Sequence, residues 1–315
     1  MDAKVMRFLA IAFGWPLLVA AVIAMAHIPL GSPLGIGIIA LLYMPAPAVA
    51  ALIVERRVVR ARLRFPNGSN WRTIVWFFAL PMVVVVSLAA ALLLLTALLG
   101  NWLALTAFGS VVTSIAEFRA NLSLSYGSAL SEQANLPNSL VALFALTFLS
   151  AAVAGWSING LFALGEEYGW RGFLWEAWQR HGIVRANLAI GVVWGLWHAP
   201  LIVQGYNYPG HPFGGVLLMV CFAIAASFVL TAIRELTGSV LSAAVTHGAI
   251  NAVASLLTLM VVGGNPLLSG PLGVSGSLAL SLVALPLWMT VRRKQRLVVG
   301  SGQSELHARS AAAHA

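Results

Sequence analysis

Three groups of ionisable and amide side chains stand where the surrounding sequence is almost wholly apolar. Glu166, Glu167 and Arg171 interrupt LFALGEEYGWRGF, His198 lies in VVWGLWHAPLIV, and His247 with Asn251 lies in SAAVTHGAINAVA. Such groups are expensive at membrane depth and carry a partner or a function. A carboxylate and an imidazole that share a water molecule can deprotonate it for attack on a carbonyl carbon. A second imidazole and an amide NH₂ are donors suited to an oxyanion. One Glu and two His, here Glu166, His198 and His247, are equally the ligand types of a catalytic zinc site with an open position. Both chemistries are hydrolytic and neither uses a serine or cysteine nucleophile, so the cofactor expected is zinc or none. Taken singly, each group has a bland account: Glu167–Arg171 as a structural ion pair, His198 and His247–Asn251 as hydrogen bonds between helices. One arginine, however, does not easily serve both Glu166 and Glu167 in an apolar medium.

Helix geometry relates the three groups. Glu167 and Arg171 are four apart and face each other on a helix, whereas Glu166 is about 100° round. His247 and Asn251 are also four apart, one turn above the other on one face. His181-Gly182 reads as a turn between two helices, with Glu166 and His198 at similar distances on either side. In an antiparallel hairpin this places both about 24 Å from the turn. His247 lies about 13 Å along its helix from Gly238, counted from the same side. The three groups are therefore expected to meet in one polar chamber, open to the cytoplasmic side.

The elements that must hold them are membrane helices. Charged residues make up 9% of the chain and hydrophobic ones 60%, with a mean hydropathy of +0.91. Soluble domains carry about 25% charged residues, so an ordinary cytosolic enzyme, a disordered chain and a disulfide scaffold are all excluded. Apolar runs at about 8–28, 34–54, 74–99, 140–164, 184–204, 213–233, 239–263 and 273–291 predict an all-α, polytopic integral membrane bundle of about eight transmembrane helices. With both termini cytoplasmic, every Lys and Arg of the 18 except Arg119 falls on one side, which fixes the orientation by the positive-inside rule. The net charge of +9 thus reports topology and contact with the lipid bilayer, and no nucleic-acid partner is expected. Ala24-Met25-Ala26 after a basic, apolar start resembles a signal cleavage site, but the apolar stretch is long for one and a retained first helix is expected. The organisation reads as N-terminal helices and an outer loop over 1–139, a core over 140–260, a last transmembrane helix over 261–291 and a disordered cytoplasmic tail over 292–315. Most of the tryptophans read as interface anchors.

At the chemistry-bearing positions the sequence resembles the CPBP family of intramembrane proteases, which includes the Rce1-type CAAX prenyl endopeptidases and the ABI proteins. The family's Glu-Glu-x-x-x-Arg motif is matched by Glu166-Glu167-Tyr-Gly-Trp-Arg171, and its His-x-x-x-Asn motif by His247-Gly-Ala-Ile-Asn251. Its Phe-x-x-x-His motif appears as Trp194-Gly-Leu-Trp-His198, with Trp where Phe is usual. The resemblance covers about 140–260. It implies a membrane-embedded endopeptidase acting on a membrane-associated peptide or protein. Glu166 would be the general base, His198 would orient the water, His247 and Asn251 would stabilise the oxyanion, and Glu167 with Arg171 would organise the site. Trp194 and Trp197 are candidate substrate-contacting residues. The metal question stays open between a zinc mechanism and a metal-independent glutamate one. The Arg-over-Lys, Ala/Leu-rich composition suggests a GC-rich bacterium, hence an inner-membrane location and bacteriocin-type peptides or membrane proteins as substrates rather than prenylated ones. A non-catalytic immunity or scaffold protein and a proton-coupled transporter are the alternative classes for the same chamber.

Overall fold

With no water at the bilayer centre, backbone amides must be satisfied within each segment, which leaves helices as the solution for a chain this apolar. A computed structural model describes residues 2–65 and 71–313, and these are almost entirely helical. The long elements are α1 (Ala3–Met25), α2 (Pro33–Glu55), α3 (Ile74–Trp102), α4 (Leu140–Gly155), α5 (Ile158–His181), α6 (Ile183–Trp197), α7 (Pro212–Thr237), α8 (Val240–Met260) and α9 (Val274–Ala313). Strands β1 (Ser110–Val111) and β2 (Val261–Val262) pair antiparallel, and short helices Ile115–Tyr126 and Ser128–Gln133 fill the segment between α3 and α4.

Among the described residues, six helices are long and apolar enough to cross a membrane, and α4 with α5 makes a seventh span bent by 53°. The difference from the eight apolar runs lies in α6. That helix has 15 residues and stops at His198, two residues before Pro200, which has no N–H to donate and crowds the carbonyl four residues back. The segment expected as a disordered tail is also different: α9 continues through Ala313. Residues 292–313 contain no proline, and the good helix formers Ala and Arg make up eight of the 22, against the two weak positions Gly300 and Gly302.

Helices α7 and α8 are the centre of the bundle, each buried over 61% of its most apolar window against 33% for α1, α2 and α3. Helix α7 lies between α6 and α9, α8 packs on α4, α5 and α3, and α1 packs on α2. Apolar side chains such as Leu17, Leu18, Leu146, Leu149, Leu217 and Leu282 remain exposed around the outside, as a lipid-facing surface requires. Small residues set the closest approach. A Cβ on Gly191 or Gly195 of α6 would lie 2.5 Å from the Cα of Ile224 or Val220 on α7, so the two backbones touch across this glycine pair.

Contacts sort the connections onto two faces. On one, Arg62 hydrogen-bonds to Glu55 at 2.6 and 2.8 Å and to Glu176 at 3.0 and 2.6 Å, Arg234 reaches Glu176 at 3.7 Å, Ser239 donates to the Arg64 carbonyl, and Lys294 donates to the carbonyls of Glu235 and Leu236. On the other, β1 pairs β2, Asn265 donates to the Ala107 carbonyl, Tyr208 to that of Leu272, and Gln204 to that of Ala20. Arg119 closes the short helices of this second face through the carbonyls of Ser131 and Ala134. The arginine-rich loops therefore share one end of the bundle. Not every tryptophan is an interface anchor: Trp170 and Trp175 are fully buried, and the Trp175 indole donates to Glu235.

Candidate active site

Helix α5 carries Glu166 and Glu167 at the point where its regular α-turns give way to a wider, π-type turn over Tyr168–Leu174. Gly169 and Gly172 lower the helical preference there, and wide turns of this kind recur at functional sites. Arg171 donates to Glu167 Oε1 at 3.0 Å, with both side chains fully buried. His247 of α8 reaches the same oxygen through Nδ1 at 2.9 Å. The Glu167 carboxylate thus ties α5 to α8. Removing either partner would leave an uncompensated charge in the interior.

Trp194 of α6 is the hub. Its indole N–H donates to Glu166 Oε2 at 2.8 Å, and its ring lies 4.4 Å under the Arg171 guanidinium and 5.2 Å from the His247 ring, edge to face. Its carbonyl accepts from His198 Nδ1 at 2.8 Å. A carbonyl only accepts, so Nδ1 of His198 carries a proton, and the Glu167 carboxylate assigns a proton to Nδ1 of His247 in the same way. Each ring therefore turns Nε2 outward to water or substrate, oriented by the bond its other nitrogen makes. Trp197 is a wall: its N–H donates to the Ala12 carbonyl of α1, its own carbonyl accepts from Tyr43 of α2, and its ring packs on Tyr43 and Trp170.

Four of the six residues singled out for chemistry, Glu166, His198, His247 and Asn251, line one cavity of about 340 Å³. Glu167 and Arg171 lie behind it, within the protein. Trp194 and Trp197 line it too, yet both are nearly inaccessible (3% and 2% exposed), which makes them its walls rather than an open platform. The walls also draw on segments outside 140–260: Ile39, Tyr43 and Met44 of α2, and Pro271 and Leu272 before α9.

Sequence reasoning missed the polar stripe that continues from His247 and Asn251 through Ser255 and Thr258 along the same cavity. Spacings of four and three on a single apolar helix were a signal for it. Tyr43 and Tyr206 were missed as well. Tyr206 sits in the connection after α6, where burial first and the nearby Glu166 second push its phenol above the ordinary range, keeping it a donor at the cavity.

The cavity lining lies mostly on the far side of Glu166 from the arginine-rich end. Beyond Glu166 towards that side come Glu167, Trp170, Arg171, Leu174 and Trp175, each at most 1% exposed. The cavity runs the other way, to Asn207, Pro271 and Leu272 in the connections of the opposite face. Counting residues from the turn at Gly182 placed the side chains at a common level but carried no information about which end is plugged.

A zinc ion would need Glu166, His198 and His247 within one coordination sphere. Among the described residues, no three His, Cys, Asp or Glu side chains are grouped closely enough to hold a metal ion together. The arrangement does not fit a three-ligand site.

Residues 137–253 match the family described as type II CAAX prenyl endopeptidase Rce1-like, and all six chemistry-bearing residues fall inside that range. This stretch, a little over a third of the chain, is similar to the Rce1-like family. Within the chain, 49 residues are 41% identical to the CAAX prenyl protease 2 of Methanococcus maripaludis, a match spanning 15% of this chain and 18% of that protein. The Rce1-like region contains the bend between α4 and α5, all of α6 and the first two-thirds of α8. The elements that complete the cavity wall, α2 and the connection before α9, lie outside it.

Proposed function

We propose that this protein is a CAAX-protease-like intramembrane endopeptidase that hydrolyses a peptide bond of a membrane-associated protein or peptide. The observation that carries the reading is the convergence of Glu166, His198, His247 and Asn251, from three helices, on one cavity. Trp194 engages Oε2 of Glu166, leaving Oε1 for a water molecule that His198 Nε2 helps to orient. Glu166 takes a proton from this water as its oxygen adds to the carbonyl carbon. The resulting oxyanion is met by the Asn251 amide, and by His247 Nε2 when that ring carries both protons. Collapse of the tetrahedral species breaks the C–N bond, and the proton held by Glu166 passes to the leaving amine. Glu167, pinned by Arg171, fixes the His247 ring.

The test compares mapped peptide termini in the membrane proteomes of cells carrying the parent protein or Glu166→Ala. Removing a general base costs about 10²–10⁴-fold in rate, so termini present with the parent are expected to vanish with Glu166→Ala. Full cleavage by a well-folded Glu166→Ala protein sinks the proposal. A Glu166→Gln variant that complements a deletion as well as the parent would point to a binding or immunity role instead. Metal analysis of the purified protein, with a chelator series on cleavage, reads the zinc alternative separately.

A further inference from the structure

We infer that the cavity is entered from the extracytoplasmic side of the membrane, so that the peptide it takes is one presented at the outer surface rather than the end of a cytoplasmic protein. The inference rests on the endopeptidase reading for the word substrate, but its direction comes from three independent features. First, apart from Arg119 and Arg171, the latter buried within α5, every Lys and Arg of the 18 belongs to the terminal segments, or to connections and the helix ends beside them, at one end of the bundle, and the ion pairs and hydrogen bonds of Arg62, Arg234, Ser239 and Lys294 show that these connections share one face. Basic connections stay on the cytoplasmic side.

Second, that end is closed. Helix α5 runs from Glu166 towards it through a layer of fully buried side chains, Glu167, Trp170, Arg171, Leu174 and Trp175. Beyond them Arg62, itself 4% exposed, clasps Glu55 and Glu176. Third, the opposite end is open. Helix α8 leaves the basic face at Ser239 and ends at the β1–β2 pair. Along it the polar side chains of Asn251, Ser255 and Thr258 are exposed and line the cavity, as does exposed Asn207 in the connection after α6. A polar track left uncovered by the rest of the protein is what an extended peptide backbone, with its unpaired N–H and C=O groups, needs on entering an apolar bundle. The facing walls, Ile39, Met44, Met219 and Phe222, suit apolar side chains of the same peptide.

The test uses the full chain with its exposed thiol removed by Cys221→Ser. Into this background go single substitutions Asn207→Cys, Ser255→Cys and, as a marker of the basic face, Arg180→Cys. Each is labelled with a membrane-impermeant maleimide in right-side-out and in everted inner-membrane vesicles, after gel filtration in detergent has shown the variant to be monodisperse. Asn207→Cys and Ser255→Cys are expected to label in right-side-out vesicles and to lose that label in everted ones, with Arg180→Cys doing the reverse. Labelling of Ser255→Cys only from the Arg180 side, or from neither side, overturns the inference. The two readings fail separately. Reversed labelling with Glu166-dependent cleavage intact removes only the direction of entry. The expected labelling with cleavage retained in Glu166→Ala removes only the hydrolase.

Discussion

Trp194 touches more of the site than any residue chosen for its chemistry. It donates to Glu166, accepts from His198, and packs on His247 and Arg171. The resembled family usually has Phe at this position, and Phe preserves a ring beneath the guanidinium but cannot donate a hydrogen bond to the carboxylate. Trp194→Phe therefore isolates one hydrogen bond. Bonds to charged groups contribute about 1.5–3 kcal/mol, and a small misplacement of a reacting group costs rate rather than binding. Steady-state kinetics should show kcat lowered roughly tenfold with KM unchanged. A change in KM alone would mean that Trp194 contacts substrate and does not position Glu166. The Trp-x-x-x-His spacing was visible in the sequence, but the hydrogen bond was not, because the indole finds Glu166 only through the packing of α6 against α5.

At the scale of elements, the site depends on how closely short, imperfect helices approach one another. Helix α6 is cut off at His198 by Pro200, α5 widens just after Glu167, and α4 meets α5 at a bend. The glycine pair Gly191 and Gly195 then lets α6 seat directly on α7. Gly195→Val would drive its methyl groups into the backbone of α7 near Val220, where a Cβ already lies 2.5 Å from Cα. Overpacking of this kind costs about 1–3 kcal/mol, and here it also shifts Trp194 and His198 on the neighbouring positions. Thermal unfolding in detergent should register the loss, together with a fall in kcat. Unchanged unfolding would mean that α6 and α7 can separate at no cost. The Gly-x-x-x-Gly spacing is plain in the sequence, whereas its partner on α7 is not, since many apolar faces of α7 would have served equally well.

For the molecule as a whole, the distinction that matters is between a sealed basic end and an open opposite end. Arg62 anchors the seal. Burial opposes its charge, but hydrogen bonds to Glu176 and Glu55 more than offset this and hold the guanidinium above its ordinary range. Arg62→Gln removes both bidentate pairs. The expected loss is about 2 kcal/mol, below the ~3–5 of a fully buried pair, because Glu176 is 37% exposed and partly screened by water. A lowered unfolding temperature with Glu166-dependent cleavage retained at permissive temperature is the expected result. An unchanged unfolding temperature would show that this network does not hold the basic end together.

Sequence by itself determined the helical membrane class, gathered the basic residues onto alternate connections, and singled out Glu166, Glu167, Arg171, His198, His247 and Asn251 as candidates. Hydropathy, basic-residue placement and polar groups in apolar runs are each written along one dimension, and helical periodicity converts spacing into facing. Tertiary structure alone decided that the fifth apolar run is a short helix, that Trp194 joins four of these side chains, that α2 and the connection before α9 complete the cavity, and which end of it is closed. Those outcomes depend on which helix faces meet across the bundle. In an interior where most residues are apolar and interchangeable, the chain order does not specify that choice, and side-chain shape does.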